Sequence, residues 1–191
     1  MQEEKYKLIK AIAFIHKMTN LSDIDFRDYY ENKHAPLASS LLTLEEYERN
    51  YVNSELNPLY ASLGSISIFQ YQSIQSLEIV GNEMASSAGD MLRDDERKFM
   101  DVPKNYHVFS ESNQLTMSKF NKKIFYPFED DENLNLLGAY DGLEKISDNL
   151  LTESSEIIGI SEYGITQTMS LEILEKLSTD HPKAIITACV S

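Results

Sequence analysis

Cysteine occurs once in 191 residues, so no intrachain disulfide can form and stability has to come from a core. That residue, Cys189, lies in a strand-like run, where it reads as a small buried hydrophobe or, alternatively, as a reactive thiol. Glycine is sparse: the seven present spell neither G-x-G-x-x-G nor a Walker loop, which removes the common phosphate cradles. No G-x-S-x-G nucleophile elbow occurs, although a histidine–serine triad assembled from distant residues stays open. The four histidines are scattered without ligand spacing, so no metal site is expected. Basic side chains are also few, 17 against 31 acidic ones, for a net charge of −14. Split at residue 114, the halves carry 11 − 18 = −7 and 6 − 13 = −7, so no basic half hides behind an acidic one, and nucleic acid is not an expected partner. Long hydrophobic runs are missing. The start is polar and acidic, and the run Ala11 to Ile15 after it is too short for a signal segment or a membrane span, so a cytoplasmic chain without a membrane partner is expected. The acidic run 129–132 reads as a solvated linker, since it lacks the alternating ligands and the glycine of a calcium loop.

What remains is an ordinary globular composition, 42% hydrophobic and 25% charged, long enough for one large or two small domains. Residues 7–17 alternate as a strand. One face carries Ile9, Ala11, Ala13 and Ile15 and suits a helix layer; the other carries Leu8, Lys10, Ile12, Phe14 and His16 and suits a mixed cavity. Ser22 is placed to cap a long helix with Asp23 and Asp25 in its first turn. Strands follow at 47–52 and 65–72. Leu77, Val80, Met84 and Ala88 then space as a second helix that Gly89 interrupts, with a continuation over 90–100 and a fourth strand at 106–110. This order, βαββαβ, is the ferredoxin-like unit of an α+β protein, with two helices on one face of an antiparallel sheet and the other face in need of a partner. The segment Ser76-Leu77-Glu78-Ile79-Val80 recurs as Ser170-Leu171-Glu172-Ile173-Leu174, which reads as a worn internal repeat or as a chance echo. Around the second copy, a strand is expected at 134–140, a helix at 142–151, a hairpin from 157–160 and 164–168, and a last strand at 183–190. The expected domains are 1–114, ferredoxin-like, and 115–191, a divergent second half.

The chemistry is expected at His34. Phe26, Tyr30, His34, Leu37 and Leu41 form one helical stripe, and Pro36 requires a kink or restart just after the histidine. A buried imidazole titrating near neutrality suits a general acid/base, and Tyr30, one turn earlier, can orient it or donate to a substrate oxygen. The plainer alternative is that His34 bonds a carbonyl freed by Pro36 and caps the helix. His16 and Phe14 on the cavity face, with Tyr51, Tyr71 and Tyr106, are the candidate ligand contacts; Tyr47 belongs to the same tyrosine set. Aromatic bodies with polar tips suit a planar, lipophilic, oxygen-bearing ligand, although tyrosines are also common strand formers.

Phe26-Arg27-Asp28-Tyr29-Tyr30 with His34-Ala35-Pro36-Leu37, preceded by the strand Leu8 to His16, resembles the EthD family of dimeric α/β-barrel proteins. A second match, Asp94-Asp95-Glu96-Arg97-Lys98-Phe99-Met100-Asp101, resembles the family's acidic passage, and together the two span about residues 7–112. The resemblance implies a barrel closed by two sheets, either in a homodimer or within one chain through the repeat. It also implies cofactor-independent lyase, dehydratase, cyclase or monooxygenase-like chemistry on a small aromatic or polyketide-like molecule. A non-catalytic binding or accessory protein, and a haem-dependent oxidoreductase, are the alternatives.

Overall fold

The computed structural model describes residues 8–112, 120–130, 136–152, 157–166 and 169–190. Eight antiparallel strands, all from one chain, lie in the order β4-β1-β3-β2-β8-β5-β7-β6. They are β1 (Leu8–His16), β2 (Glu46–Val52), β3 (Leu63–Tyr71), β4 (Tyr106–Ser112), β5 (Lys122–Phe128), β6 (Leu143–Leu150), β7 (Gly159–Ile165) and β8 (Ile185–Val190). The sheet curls into a nearly closed barrel. Its outer strands approach one another through the Ser110–Leu151 bridge and a 2.9 Å bond from the Thr152 amide to the Phe109 carbonyl. Among the described residues five α-helices lie outside it: α1 (Asp23–Tyr29), α2 (Ala35–Leu41), α3 (Ile74–Met84), α4 (Ser87–Glu96) and α5 (Leu171–Asp180).

Strand alternation divides the core. Ile12 and Phe14 pair with Ile68 and Ile66 and point into the barrel with Val52, Phe125, Ile160 and Ile185, while Ala11 faces out with Tyr71 towards Val80 of α3. The expected faces of β1 are therefore the right ones, but the inner face packs against other buried side chains. Among the described residues the lumen is packed with side chains. Its apolar layer sits beside a charged one, in which Lys10 meets Glu162 at 3.1 Å and Lys123 reaches Glu162 and Glu48, both at 2.5 Å. Such ions tolerate burial because each charge meets an opposite one, and removing a single member leaves its partners uncompensated.

The first half follows its sequence closely. Ser22 caps α1 by accepting from the Asp25 amide, and the second helical stretch, as expected, is in two pieces. The break, however, falls at Ala85 and Ser86, with Ser86 capping α4. Gly89 lies within α4, where a β-carbon would stand 1.9 Å from the Met84 carbonyl oxygen, so it serves close approach and does not interrupt the helix.

The second half departs from expectation in five places. β5, Lys-Lys-Ile-Phe-Tyr-Pro-Phe, carries no alternation because both faces are covered, and it was not foreseen. Phe128 bonds towards β7, which turns Pro127 towards β8 beyond that strand's last partner, Phe125, so the missing amide breaks no ladder. Residues 143–150 are a strand and not a helix: an irregular register at Ile146 gives Leu143, Ile146 and Leu150 their helix-like spacing. The proposed hairpin is one strand, β7, and Gly164 leaves room for the Phe120 ring, which a β-carbon would meet at 2.2 Å. Leu136–Ala139 form a 3-10 turn and not a strand; residues 134–135 and 167–168 lie outside the described residues. The five-residue echo is out of step, since Ser170 caps α5 whereas α3 is capped by Ser73 and Ser76 lies inside it.

Glu162→Gln is expected to lower stability by about 3 to 5 kcal/mol, because Lys10 and Lys123 lose their shared counter-charge. Urea unfolding of both proteins checks this, and an unchanged midpoint would contradict it.

Candidate functional site

The helix that carries His34 keeps one face against the sheet for longer than regular α geometry allows. Phe26, Tyr30, His34 and Ala38, all buried, recur every four residues. A 3.6-residue period would rotate such a stripe away from the sheet. The chain compensates with a π turn over Tyr30–His34, in which the Ala35 amide bonds the Tyr30 carbonyl, and it then enters α2 through Pro36. The kink expected at proline is thus a widened turn, with Leu37 half-buried at the edge of the stripe.

His34 does not cap the helix. Its Nδ1 lies 3.0 Å from Oδ2 of Asp95 on α4, and Asp95 Oδ1 accepts from the Tyr29 hydroxyl at 2.8 Å and from Lys98 at 3.3 Å. Burial would raise the Asp95 carboxyl, but these donors outweigh it and hold it below its ordinary 3.8. An ionised carboxylate only accepts, so Nδ1 carries the proton and Nε2 presents its lone pair. Burial drives the imidazole below its ordinary 6.5 although Asp95 pulls the other way, so the ring is neutral at pH 7. The Tyr30 and Phe99 rings hold it, each with its centroid 5.1 Å away.

His34 lines a cavity of about 470 Å3 between the outer face of β1, β3 and β4 and the helices α2, α3 and α4. The walls are mainly aliphatic and aromatic, including Ala13, Phe69, Tyr71, Val80, Met84 and Phe109, and among the described residues no Lys or Arg lines it. Polar lining comes from His34, Glu96, His107 and the tyrosines 30, 47 and 71. Burial pushes the Tyr71 hydroxyl up to about 12, so it stays protonated.

Of the residues expected from sequence, His34, Tyr30 and Tyr71 meet here. Tyr30 touches His34 through its ring only; its hydroxyl binds Ser67 at 3.0 Å and accepts from Tyr47 at 2.9 Å. Tyr51 packs near Tyr30 but bonds Glu31 at 2.6 Å and borders a separate surface groove. Phe14 stacks on Tyr106 at 4.6 Å on the lumen side, with His16 near Tyr106, so these three stand across the sheet from His34. Cys189 shares the lumen side with Asn50, and burial, aided by Glu48, pushes its thiol up to about 12, as suits an inert residue. Among the described residues no group of three or more His, Cys, Asp or Glu could hold a metal ion. Asp95, Glu96 and His107 were missed as site residues. The first two stand in the acidic passage already set apart in the sequence, and His107 alternates onto the helix-facing side of β4 opposite Ala13.

Fold and site together define an α+β protein with a nearly closed antiparallel barrel and an apolar cavity under its first helix layer. Residues 19–103 match the model of the EthD domain, a partial homology that takes in both His34 and Asp95. No curated protein matches the chain. Among solved structures it is similar to a provisionally assigned chlorite dismutase, at 9% identity over 97% of this chain and 95% of that one, with a TM-score of 0.55. It is also similar to a chlorite dismutase variant from Candidatus Nitrospira defluvii, at 8% identity over 96% and 91%, TM-score 0.52. A provisionally assigned monooxygenase from Lactobacillus acidophilus NCFM gives 10% identity over 96% and 93%, TM-score 0.50. At these identities the likeness is one of fold. No helix among the described residues is long and apolar enough to cross a membrane.

Asp95→Asn is expected to move the His34 titration further down, because the carboxylate that favours imidazolium is gone. An NMR titration of the imidazole checks the direction, and an unchanged or higher midpoint would contradict it. Because the folded value lies below 6.5, His34 contributes stability that is complete above 6.5 and is lost as pH falls through the folded value. Compared with His34→Gln, the wild type should therefore lose additional stability over that window.

Proposed function

We propose that the chain binds a small, neutral, largely apolar molecule carrying a hydrogen-bonding oxygen in the cavity beneath α2, α3 and α4, with His34 Nε2 as its polar anchor. The observation that carries this reading is one buried imidazole, fixed through Nδ1 by Asp95, in the wall of an apolar space of about 470 Å3. Small-molecule pockets have this size and make-up. Neutrality follows from the lining: among the described residues no Lys or Arg borders the cavity, which leaves a carboxylate ligand without a cationic partner. Binding with or without turnover fits this geometry, and the base-plus-orienter arrangement suits proton transfer to His34. His34 and Tyr30 remain the residues proposed to act on the bound molecule, the first at the ligand and the second by holding the ring. Tyr71 is proposed as a wall contact.

Haem-dependent oxidoreductase chemistry is the second reading, favoured by the Asp95–His34 pair, because an axial histidine commonly donates its other ring N–H to a carboxylate. The remaining lining does not fit that group: among the described residues no Lys or Arg faces the cavity to pair with its propionates.

The architecture is proposed as two copies of a βαββαβ unit, 1–114 and 115–191, closing the barrel within one chain in place of a homodimer. The strand orders β4-β1-β3-β2 and β8-β5-β7-β6 support this, since each repeats the same arrangement. Between β5 and β6 the described residues contain only a 3-10 turn where the first copy has α1 and α2, so one histidine site per chain is expected.

Fluorescence titration with 2-naphthol should show binding that His34→Leu weakens about ten-fold, the worth of one hydrogen bond. Ala13→Phe, which fills the cavity, should abolish it, and 2-naphthoate should bind at least about ten-fold more weakly than the neutral probe. Equal affinity in His34→Leu, or preference for the carboxylate, would contradict the reading. Added haemin should produce no Soret shift that depends on His34.

A further inference from the structure

Glu96 closes α4, next in sequence to Asp95. One residue on a helix turns the side chain by about 100°, so while Asp95 reaches His34 and Tyr29, Glu96 borders the cavity. Among the described residues its carboxyl makes no hydrogen bond or ion pair. Arg93 and Arg97, the cations on its own helix, are instead bonded to Asp90 at 2.8 Å and Asp94 at 2.5 Å. Facing the cavity from the other elements are His34 and Tyr30 of the first helical stretch, Tyr47 and Tyr71 of the sheet, and His107 of β4. Glu96 is half-buried, and its carboxyl and the preoriented imidazole border the same apolar space from different elements.

We propose that Glu96 and His34 form an acid–base pair that enolises a neutral aryl-fused ketone bound between them. Nε2 of His34 takes a proton from the carbon next to the carbonyl. The C–H electron pair becomes the new C=C bond, and the carbonyl π pair moves to oxygen, which takes the proton of the Glu96 carboxyl. The products are a neutral enol, an imidazolium on His34 and a carboxylate on Glu96, and reversal restores all three. No oxidant or reductant takes part. Electrostatics supports the assignment: burial pushes the Glu96 carboxyl above its ordinary 4.5, against the pull of Arg93 and Arg97, while burial drives His34 below 6.5. A proton-bearing acid and a neutral base are thereby brought towards coexistence.

This inference rests on the cavity-binding reading, and 2-tetralone separates the two. Its affinity is measured by displacement of 2-naphthol, and its α-hydrogen exchange in D2O is followed by NMR. Wild type should accelerate exchange over buffer. Glu96→Gln, near-isosteric and at the cavity edge, should keep affinity within about three-fold yet lose exchange by about 100-fold, as removal of a general acid does. It should also lose the fall in rate that wild type shows as pH rises through the Glu96 titration, because that limb reports the acid. His34→Gln should lose exchange as well. Bound 2-tetralone exchanging no faster than in buffer, or Glu96→Gln as active as wild type, overturns the acid–base pair and leaves the binding reading standing. Failure of 2-tetralone to displace 2-naphthol overturns it too, and is seen in the displacement arm alone.

Discussion

The buried ion cluster of Lys10, Glu162, Lys123 and Glu48 is the constraint on which the rest of the molecule depends. Its members come from β1, β2, β5 and β7, so it ties strands of the first half to strands of the second across the barrel interior. Desolvating these groups is costly, and the cost is offset only when all of them are in register at once. The cluster thereby penalises any slip of one half against the other. With the apolar layer of Ile12, Ile66, Phe125, Ile160 and Ile185, it also occupies the space a ligand would need inside the barrel.

Described side chains pack the lumen, and the cavity that His34 borders lies on the sheet's other face, beneath the helices. Small residues make that room: Ala11 and Ala13 on β1 and Ala38 on α2 keep the two layers from meeting. The π turn then sets what faces it. By widening one turn it keeps His34 on the same line as Phe26 and Tyr30, within reach of Asp95, and the proline after it is accommodated without loss of the helix. The two acidic neighbours on α4 divide their work by helical rotation alone: Asp95 fixes the imidazole and Glu96 borders the cavity.

The first half was legible because its signals are local. Alternation in β1, the Ser22 cap and the four-residue stripe through His34 are each set by neighbours in sequence. Asp95 as the partner of His34 was not legible, because the pairing joins residues 61 apart. The side of the sheet that holds the cavity was misread for the same kind of reason: Lys10 and His16 among apolar neighbours suggested a polar pocket, whereas Lys10 is neutralised by Glu162, a residue 152 positions away. In the second half, β5 is covered on both faces and so has no period, and the irregular register at Ile146 disguised a strand as a helix. Those features become intelligible only once the barrel is assembled.

The most direct test of the central claim, that the ligand lies between sheet and helices and not in the barrel, is a set of intermolecular NOEs from bound 2-naphthol to methyl groups of the protein. Contacts to Ala11, Ala13, Ala38 and Val80 are the predicted result. Contacts to Ile12, Ile66, Ile160 and Ile185 would place the ligand in the lumen and contradict it.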